Sequence, residues 1–229
     1  MKRFYKQVSV GSVGDAHQVL LDGRAVKTPA RSPLHLPTLA LAAASAAEWG
    51  EQGETIDPRT MPITGLANAA IDRVVPEKDA FAAGLARYGE SDLLCYRAEH
   101  PSDLVEAQAK AWDPLLGWAR QRFDVDFEVM AGIMHHPQPQ PTLERLSQAI
   151  AARSAFELAA LSQIVTISGS LVIALALVEG AIEVDEAWFA ATVDERYQSE
   201  KWGEDAEAAR VLEARRVDFF AADRFLTLL

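Results

Sequence analysis

Glu195 occupies a position near the end of the chain where helical spacing calls for an apolar residue. At about 100° per residue, it falls on one stripe of a helix predicted over residues 184–201. The other members of that stripe are Val184, Trp188, Ala191 and, just after the helix, Trp202. A carboxylate among apolar neighbours can pair with a cation, act as an acid or base, or contact another protein.

Arg215 interrupts the stripe of the next predicted helix, over residues 205–226, in the same way. That stripe consists of Ala208, Leu212, Arg215, Phe219, Ala222 and Leu226. If the two helices fold back on each other through the Trp202-Gly203 turn, and Trp202 meets Ala208, then Glu195 faces Arg215. The spacing therefore predicts an interhelical ion pair.

Two interpretations of this ion pair stay open. A buried pair would be structural, and removal of one partner would cost about 3–5 kcal/mol. A Glu195 that is not fully buried would instead be an acidic spot on an apolar groove, offered to a partner protein. The two overlap, since a pair at the rim of a groove can open when a partner binds.

Other candidate chemistry is weaker. His135-His136 tempts a metal interpretation, but adjacent side chains point apart and no third ligand lies at suitable spacing, so we predict a surface loop and no metal or other cofactor. Cys95 lies in the mostly apolar run DLLCYR and is predicted to be a buried, inert thiol. The sequence contains no GxxxxGK[ST], GxGxxG or GxSxG motif, so nucleotide-driven or hydrolytic mechanisms have no support.

The elements that must position these residues indicate an α+β fold. Residues 4–37 alternate and contain turn signals at GSVGD and at Asp22-Gly23, which predicts antiparallel strands. An Ala-rich helix capped by Thr38 follows, and most of the remaining chain has helical periodicity. We therefore predict a small β-rich domain over residues 1–85 and a larger helical domain over residues 86–229.

The segment between Glu157 and Glu179 contains no charged residue and is of borderline length for a membrane span. It includes several polar and small residues, and its flanks are acidic without a Lys/Arg bias. A central helix over residues 155–179, buried on all sides and containing Ser168-Gly169-Ser170, explains the pattern better. We therefore predict no membrane insertion.

The charge of the chain excludes one large class of partners. The formal net charge is −11 and the pI is about 4.9. Nucleic acid binding requires Lys and Arg to displace counterions, so nucleic acid is not an expected partner. A single cysteine allows no internal disulfide, and the N-terminal residues do not form a signal or transit segment, so the bacterial cytoplasm is the expected compartment.

Six segments, spread almost from end to end, carry a resemblance to a known family. In order they are DGRAVKTPA (22–30), AAEWGEQ (46–52), MPITGLANAAID (61–72), SDLLCYRAEHPSDLVEAQAKAWDPLLGWA (91–119), GSLVIALAL (169–177) and DERYQSEKWGEDAEA (194–208). Together they resemble the assembly chaperones that handle the α subunit of the catalytic head of F-type ATP synthase. Such proteins occur in mitochondria, with relatives in α-proteobacteria.

The resemblance implies a non-enzymatic, ATP-independent chaperone with a β-rich and a helical domain. It would bind the free α subunit as a monomer and cover the surface that later meets the β subunit. The family's functional acid matches Glu195, with Asp194 as the close second, and the family's EW motif matches Trp49. The further residues expected to contact the partner are Tyr197, Trp202 and Arg215. Eukaryotic relatives would act in the mitochondrial matrix.

An enzyme is the alternative from a different class. Glu195 and Arg215 would then be acid–base groups in a pocket for a small molecule. A buried carboxylate in a closed pocket would favour the enzyme. A wide groove with exposed aromatic side chains would favour the chaperone.

Overall fold

The computed structural model describes residues 1–132 and 134–229 and divides into two compact units. The first, called the N-terminal unit, comprises Met1–Lys78, Ser154–Ala160 and Ala221–Leu229. The second, called the helical unit, comprises Asp79–Arg153 and Leu161–Phe220. The division of the sequence at residue 85 stays a prediction.

The N-terminal unit contains a three-stranded antiparallel sheet in the order β1-β2-β3. Its strands are β1 (Val8–Val13), β2 (Ala16–Leu21) and β3 (Arg24–Ala25). The turn between β1 and β2 lies at Gly14-Asp15, so most of the predicted GSVGD turn belongs to β1 instead. The predicted Asp22-Gly23 turn is confirmed, and both of its residues have positive φ.

Two helices contribute to the core of this unit, α1 (Leu39–Gly50) and α2 (Pro62–Ala69). Thr38 caps α1 as predicted, because its hydroxyl accepts a hydrogen bond from the Leu41 amide at 3.1 Å. Leu36 and Leu41 are fully buried in the core. The sheet and the two helices are therefore held together by apolar burial.

The helical unit is built mainly from helices of 8 to 22 residues. Their bounds are α3 (Lys78–Ala86), α4 (Ser102–Phe123), α5 (Gln140–Ala151), α6 (Ala155–Ser168), α7 (Leu171–Val178), α8 (Val184–Ala191), α9 (Val193–Trp202) and α10 (Ala206–Thr227). Two short parallel strands, β4 (Tyr96–Arg97) and β5 (Met130–Ala131), lie in the links. α3, α6 and α10 each contribute residues to both units. A small N-terminal sheet followed by a mostly helical chain confirms the predicted α+β class.

The uncharged segment is mostly buried, although Thr166 is exposed, and it does not form the one helix predicted over residues 155–179. Gly169, with φ of 70°, ends α6, and the Ser170 hydroxyl caps α7 by accepting from the Ile173 amide at 3.0 Å. Every residue from Leu171 to Leu177 is buried. None of the described helices is long and apolar enough to cross a membrane.

Candidate functional site

The predicted helix over residues 184–201 is interrupted at Thr192, which separates α8 from α9. Thr192 has φ of −127° and ψ of 23°, and its buried hydroxyl donates to the Trp188 carbonyl at 2.7 Å. A threonine hydroxyl that bonds four residues back offers the backbone an alternative to the regular helix. The expectation of one continuous helix was therefore wrong. Trp188, Glu195 and Trp202 of the predicted stripe nevertheless line one groove.

Glu195 and Arg215 nevertheless meet, so the predicted ion pair is confirmed. The Arg215 Nη1 atom lies 3.2 Å from the Glu195 Oε1 atom, and Arg215 Nη2 donates to the Ile167 carbonyl at 2.7 Å. The side chains are 41% exposed for Glu195 and 37% exposed for Arg215. The fully buried pair was therefore the wrong interpretation, and an exposed pair of this kind stabilises a fold by at most about 1 kcal/mol.

A groove of about 650 Å³ runs between α9 and the first half of α10, and we call it the hairpin groove. Trp202 and Val211 line it and are 78% and 56% exposed. Other lining residues are Trp188, Glu195, Gln198, Ala208, Leu212, Glu213, Arg215 and Arg216. Exposed apolar side chains that cluster in this way typically mark a contact surface for another protein.

A second groove, of about 450 Å³, is also lined by residues of α9. Leu93, Trp112 and Ile167 contribute to its wall. Glu195 and Arg215 line both the hairpin groove and this second groove. The ion pair is therefore accessible from both grooves.

Polar contacts hold α9 against α4. The Gln108 Nε2 atom donates to Asp194 at 2.7 Å, and the Tyr197 hydroxyl donates to Asp103 at 2.7 Å. Lys201 pairs with the same Asp103 carboxylate at 2.6 Å. The hydrogen bonds from Lys201 and Tyr197 lower the pKa of Asp103 to about 2. Asp194 and Tyr197 thus position the helix that carries Glu195.

Acidic side chains gather where α10 begins, at the open end of the hairpin groove. Glu204, Asp205 and Glu207 all line it. Asp205 stabilises the N-terminus of α10, because its carboxylate accepts from the Glu207 and Ala208 amides at 2.8 and 2.9 Å. These hydrogen bonds lower the pKa of Asp205. The groove thus combines apolar walls with an acidic rim.

Comparison with known proteins identifies the family. A sequence model of the family described as "ATP12 chaperone protein" matches residues 2–120, just over half of the chain. The chain belongs to the ATP12 chaperone family. Members of the ATP12 family act in ATP synthase assembly, so this family and its general role, both expected from the resemblance, are confirmed.

Solved ATP12 structures resemble this chain along almost its whole length. Atp12 from the α-proteobacterium Paracoccus denitrificans is 41% identical, with 99% of this chain and 97% of that chain covered and a TM-score of 0.94. An aspartate-to-lysine mutant of P. denitrificans Atp12p is 40% identical, with the same coverage and TM-score. The mitochondrial protein atp12 of Schizosaccharomyces pombe is 28% identical over an alignment of 214 residues, which covers 88% of this chain and 74% of that protein.

Trp49, the tryptophan matched to the EW motif of the ATP12 family, belongs to the N-terminal unit. Its ring packs edge-on against Tyr5, with centroids 5.7 Å apart, and the Tyr5 hydroxyl donates to the Trp49 carbonyl at 2.7 Å. Trp49 is half-buried and anchors the packing of α1. Partner contact by Trp49, as by the five predicted residues in α9 and α10, stays a prediction.

Two buried carboxylates were missed by the sequence analysis. Glu48 accepts hydrogen bonds from the Ile63 and Thr64 amides at 2.7 and 2.8 Å, at the N-terminus of α2. Asp92 accepts from the Val172 amide at 3.0 Å, at the N-terminus of α7. Burial raises the pKa of each, and the hydrogen bonds oppose that rise. Each carboxylate therefore binds a helix end distant in sequence.

The two remaining candidate groups are His135-His136 and Cys95. The Nδ1 atom of His135 lies 3.0 Å from the Tyr96 hydroxyl, and the described residues include no cluster of potential metal ligands. Cys95 is buried, and burial raises the pKa of its thiol to about 12. A thiol in that state is a poor nucleophile, in agreement with the predicted inert role.

Proposed function

We propose that this chain is an ATP-independent chaperone that binds the free α subunit of the F-type ATP synthase catalytic head. The hairpin groove would cover the surface of the α subunit that later meets the β subunit. The chaperone would act as a monomer, in the cytoplasm of a bacterium. One observation carries the proposal, which is a tryptophan, Trp202, held 78% exposed on the rim of an apolar groove.

An exposed tryptophan of this kind suits protein binding. Tryptophan, tyrosine and arginine are enriched among the residues that dominate binding energy at protein interfaces. Trp202 and Val211 offer apolar surface, while Glu204 and Glu207 offer negative charge at the rim. Such acids would steer a basic client surface toward the groove and disfavour acidic competitors.

The sequence supports independence from ATP. It contains no glycine-rich loop with the GxxxxGK[ST] pattern that cradles phosphates. A holding chaperone needs no such loop if its client leaves when a competitor binds the same surface more tightly. The β subunit would be that competitor.

The alternative, a small-molecule enzyme built on Glu195 and Arg215, is not favoured by any observation. Both side chains are more than a third exposed, and the groove that they line has Trp202 at its rim. Enzyme pockets usually bury most of a small ligand. The exposed aromatic side chain therefore favours the chaperone.

The decisive experiment is co-expression of the tagged chain with the α subunit alone and with the β subunit alone. We expect the α subunit to be soluble and co-purified, and the β subunit to be absent from the eluate. Trp202→Ala should lose most of the α subunit in the same experiment. Phe4→Ala is its matched control, because Phe4 is also an exposed aromatic residue but does not line the groove. Failure of the wild-type chain to retain the α subunit would refute the proposal.

A further inference from the structure

The Glu195–Arg215 pair is built so that one partner can leave. We propose that a lysine or arginine of the bound α subunit replaces Arg215 at the Glu195 carboxylate, while Arg215 stays on the Ile167 carbonyl. This inference rests on the proposed function and specifies which chemical group of the client is recognised. The recognised element is a cation within an apolar segment.

The ion pair itself is weakly held. Arg215 donates a single hydrogen bond to Glu195, at 3.2 Å, and the contact is not bidentate. Both side chains are more than a third exposed. Exposed pairs of this kind contribute little to stability, so the pair can open without loss of the fold.

The two partners differ in what they keep when the pair opens. Arg215 retains its hydrogen bond to the Ile167 carbonyl, at 2.7 Å, which is shorter than its contact with Glu195. The described hydrogen bonds to the Glu195 side chain come from Arg215 alone. A carboxylate has about four lone-pair sites, so Glu195 has the capacity to accept a second cation. Glu195 is thus the free partner and Arg215 the anchored one.

The surroundings of Glu195 define the incoming group. Trp202 and Val211 supply apolar walls, and the acids at the start of α10 repel anions. The other arginine of the groove, Arg216, is engaged by Glu213 at 3.4 Å and by the Phe220 ring at 4.5 Å. A positively charged side chain flanked by apolar residues therefore complements both the charge and the walls of the groove.

The test compares the two halves of the pair. Dissociation constants would be measured for the full-length chain and the isolated α subunit by titration calorimetry. We expect Glu195→Gln to raise Kd about tenfold, because a hydrogen bond between charged groups is lost. We expect Arg215→Gln to lower Kd about threefold, because Glu195 no longer has an internal competitor.

The chain supplies a matched control pair outside the groove, Asp57 and Arg59, which is also exposed. Asp57→Asn and Arg59→Gln change the net charge by the same amounts as the test variants. We expect both control variants to keep Kd within about twofold of the wild type. Thermal unfolding of each variant verifies the fold.

The outcomes are distinct. Opposite shifts for Glu195→Gln and Arg215→Gln, absent from the control pair, support the exchange. Equal weakening by both test variants would overturn it, since the pair would then act as one structural unit. Equal responses of the two pairs would also overturn it, since only net charge would matter. If the wild-type chain does not bind the α subunit, the proposed function itself fails.

If the Arg215→Gln variant does not fold, the salt dependence of Kd is measured instead. The wild-type Kd should rise with salt concentration, because binding includes a charge pair. Glu195→Gln should reduce that dependence, and Asp57→Asn should not. An unchanged dependence in Glu195→Gln would exclude Glu195 as the recognition site for the cation.

Discussion

Trp202→Ala should abolish most client binding while leaving the fold intact. Trp202 is 78% exposed, and a tryptophan buries at most about 150–250 Å². A client could therefore cover about 160 Å² of it, worth about 4 kcal/mol at 25 cal/mol per Å². Ordering of side chains at the interface removes about 1 kcal/mol. The remaining 3 kcal/mol or so corresponds to a rise in Kd of about 100-fold.

Trp202→Ala should have only a small effect on the stability of the free protein. Only about 40 Å² of Trp202 is already covered, so its loss should lower the free energy of unfolding by about 1 kcal/mol. For a chain of this size that corresponds to a fall in Tm of about 2–4 °C. Function and stability should therefore separate in this variant.

Titration calorimetry with the isolated α subunit and thermal unfolding by circular dichroism measure the two quantities. Phe4→Ala serves as the control, because Phe4 is 65% exposed and lies outside the hairpin groove. An unchanged Kd for Trp202→Ala would refute the assignment of the groove. A Tm loss as large as the binding loss would show that Trp202 supports the fold instead.

Three further predictions concern groups outside the groove walls. Glu48→Ala should lower the free energy of unfolding, measured by chemical denaturation, by about 3 kcal/mol, because two buried amides lose a charged acceptor. Glu51→Ala is the control and should have little effect, because Glu51 is exposed. Asp103 has a pKa of about 2, below its ordinary value of 3.8, so its pairing with Lys201 should stabilise the fold above about pH 4. This stabilisation should be lost as the pH falls toward 2. NMR titration of the Asp103 carboxyl carbon measures the pKa, and a midpoint near 4 would contradict the prediction. Cys95, with a pKa of about 12, should resist maleimide in the native protein and react after unfolding, as followed by mass spectrometry.

The sequence predicted the parts of the site that depend on local spacing. Glu195 and Arg215 interrupt apolar stripes on either side of a Trp-Gly turn, and helical periodicity alone placed them face to face. The α+β class followed from the change between alternating and helical patterns. The client proposed here did not follow from spacing and rests on the family resemblance.

What the sequence could not predict depends on contacts between distant residues. Thr192 ends α8 through its buried hydroxyl, although neither glycine nor proline marks the position. Glu48 and Asp92 bind helix ends 15 and 80 residues away. The periodicity of a sequence does not show which backbone amides lack hydrogen-bond partners in the folded protein. The roles of Glu48 and Asp92 could therefore not be predicted from it.

The helix that carries Glu195 is anchored by very little apolar surface. Among the ten residues of α9, all of which the structure describes, only Val193 is buried. Segments with few buried apolar contacts open locally at a small fraction of the global unfolding free energy, and their amides exchange early with deuterium. Fixing such a segment against a client lowers the net affinity, since part of the interaction energy is used for ordering. A moderate affinity suits a chaperone that must later release its client to another subunit.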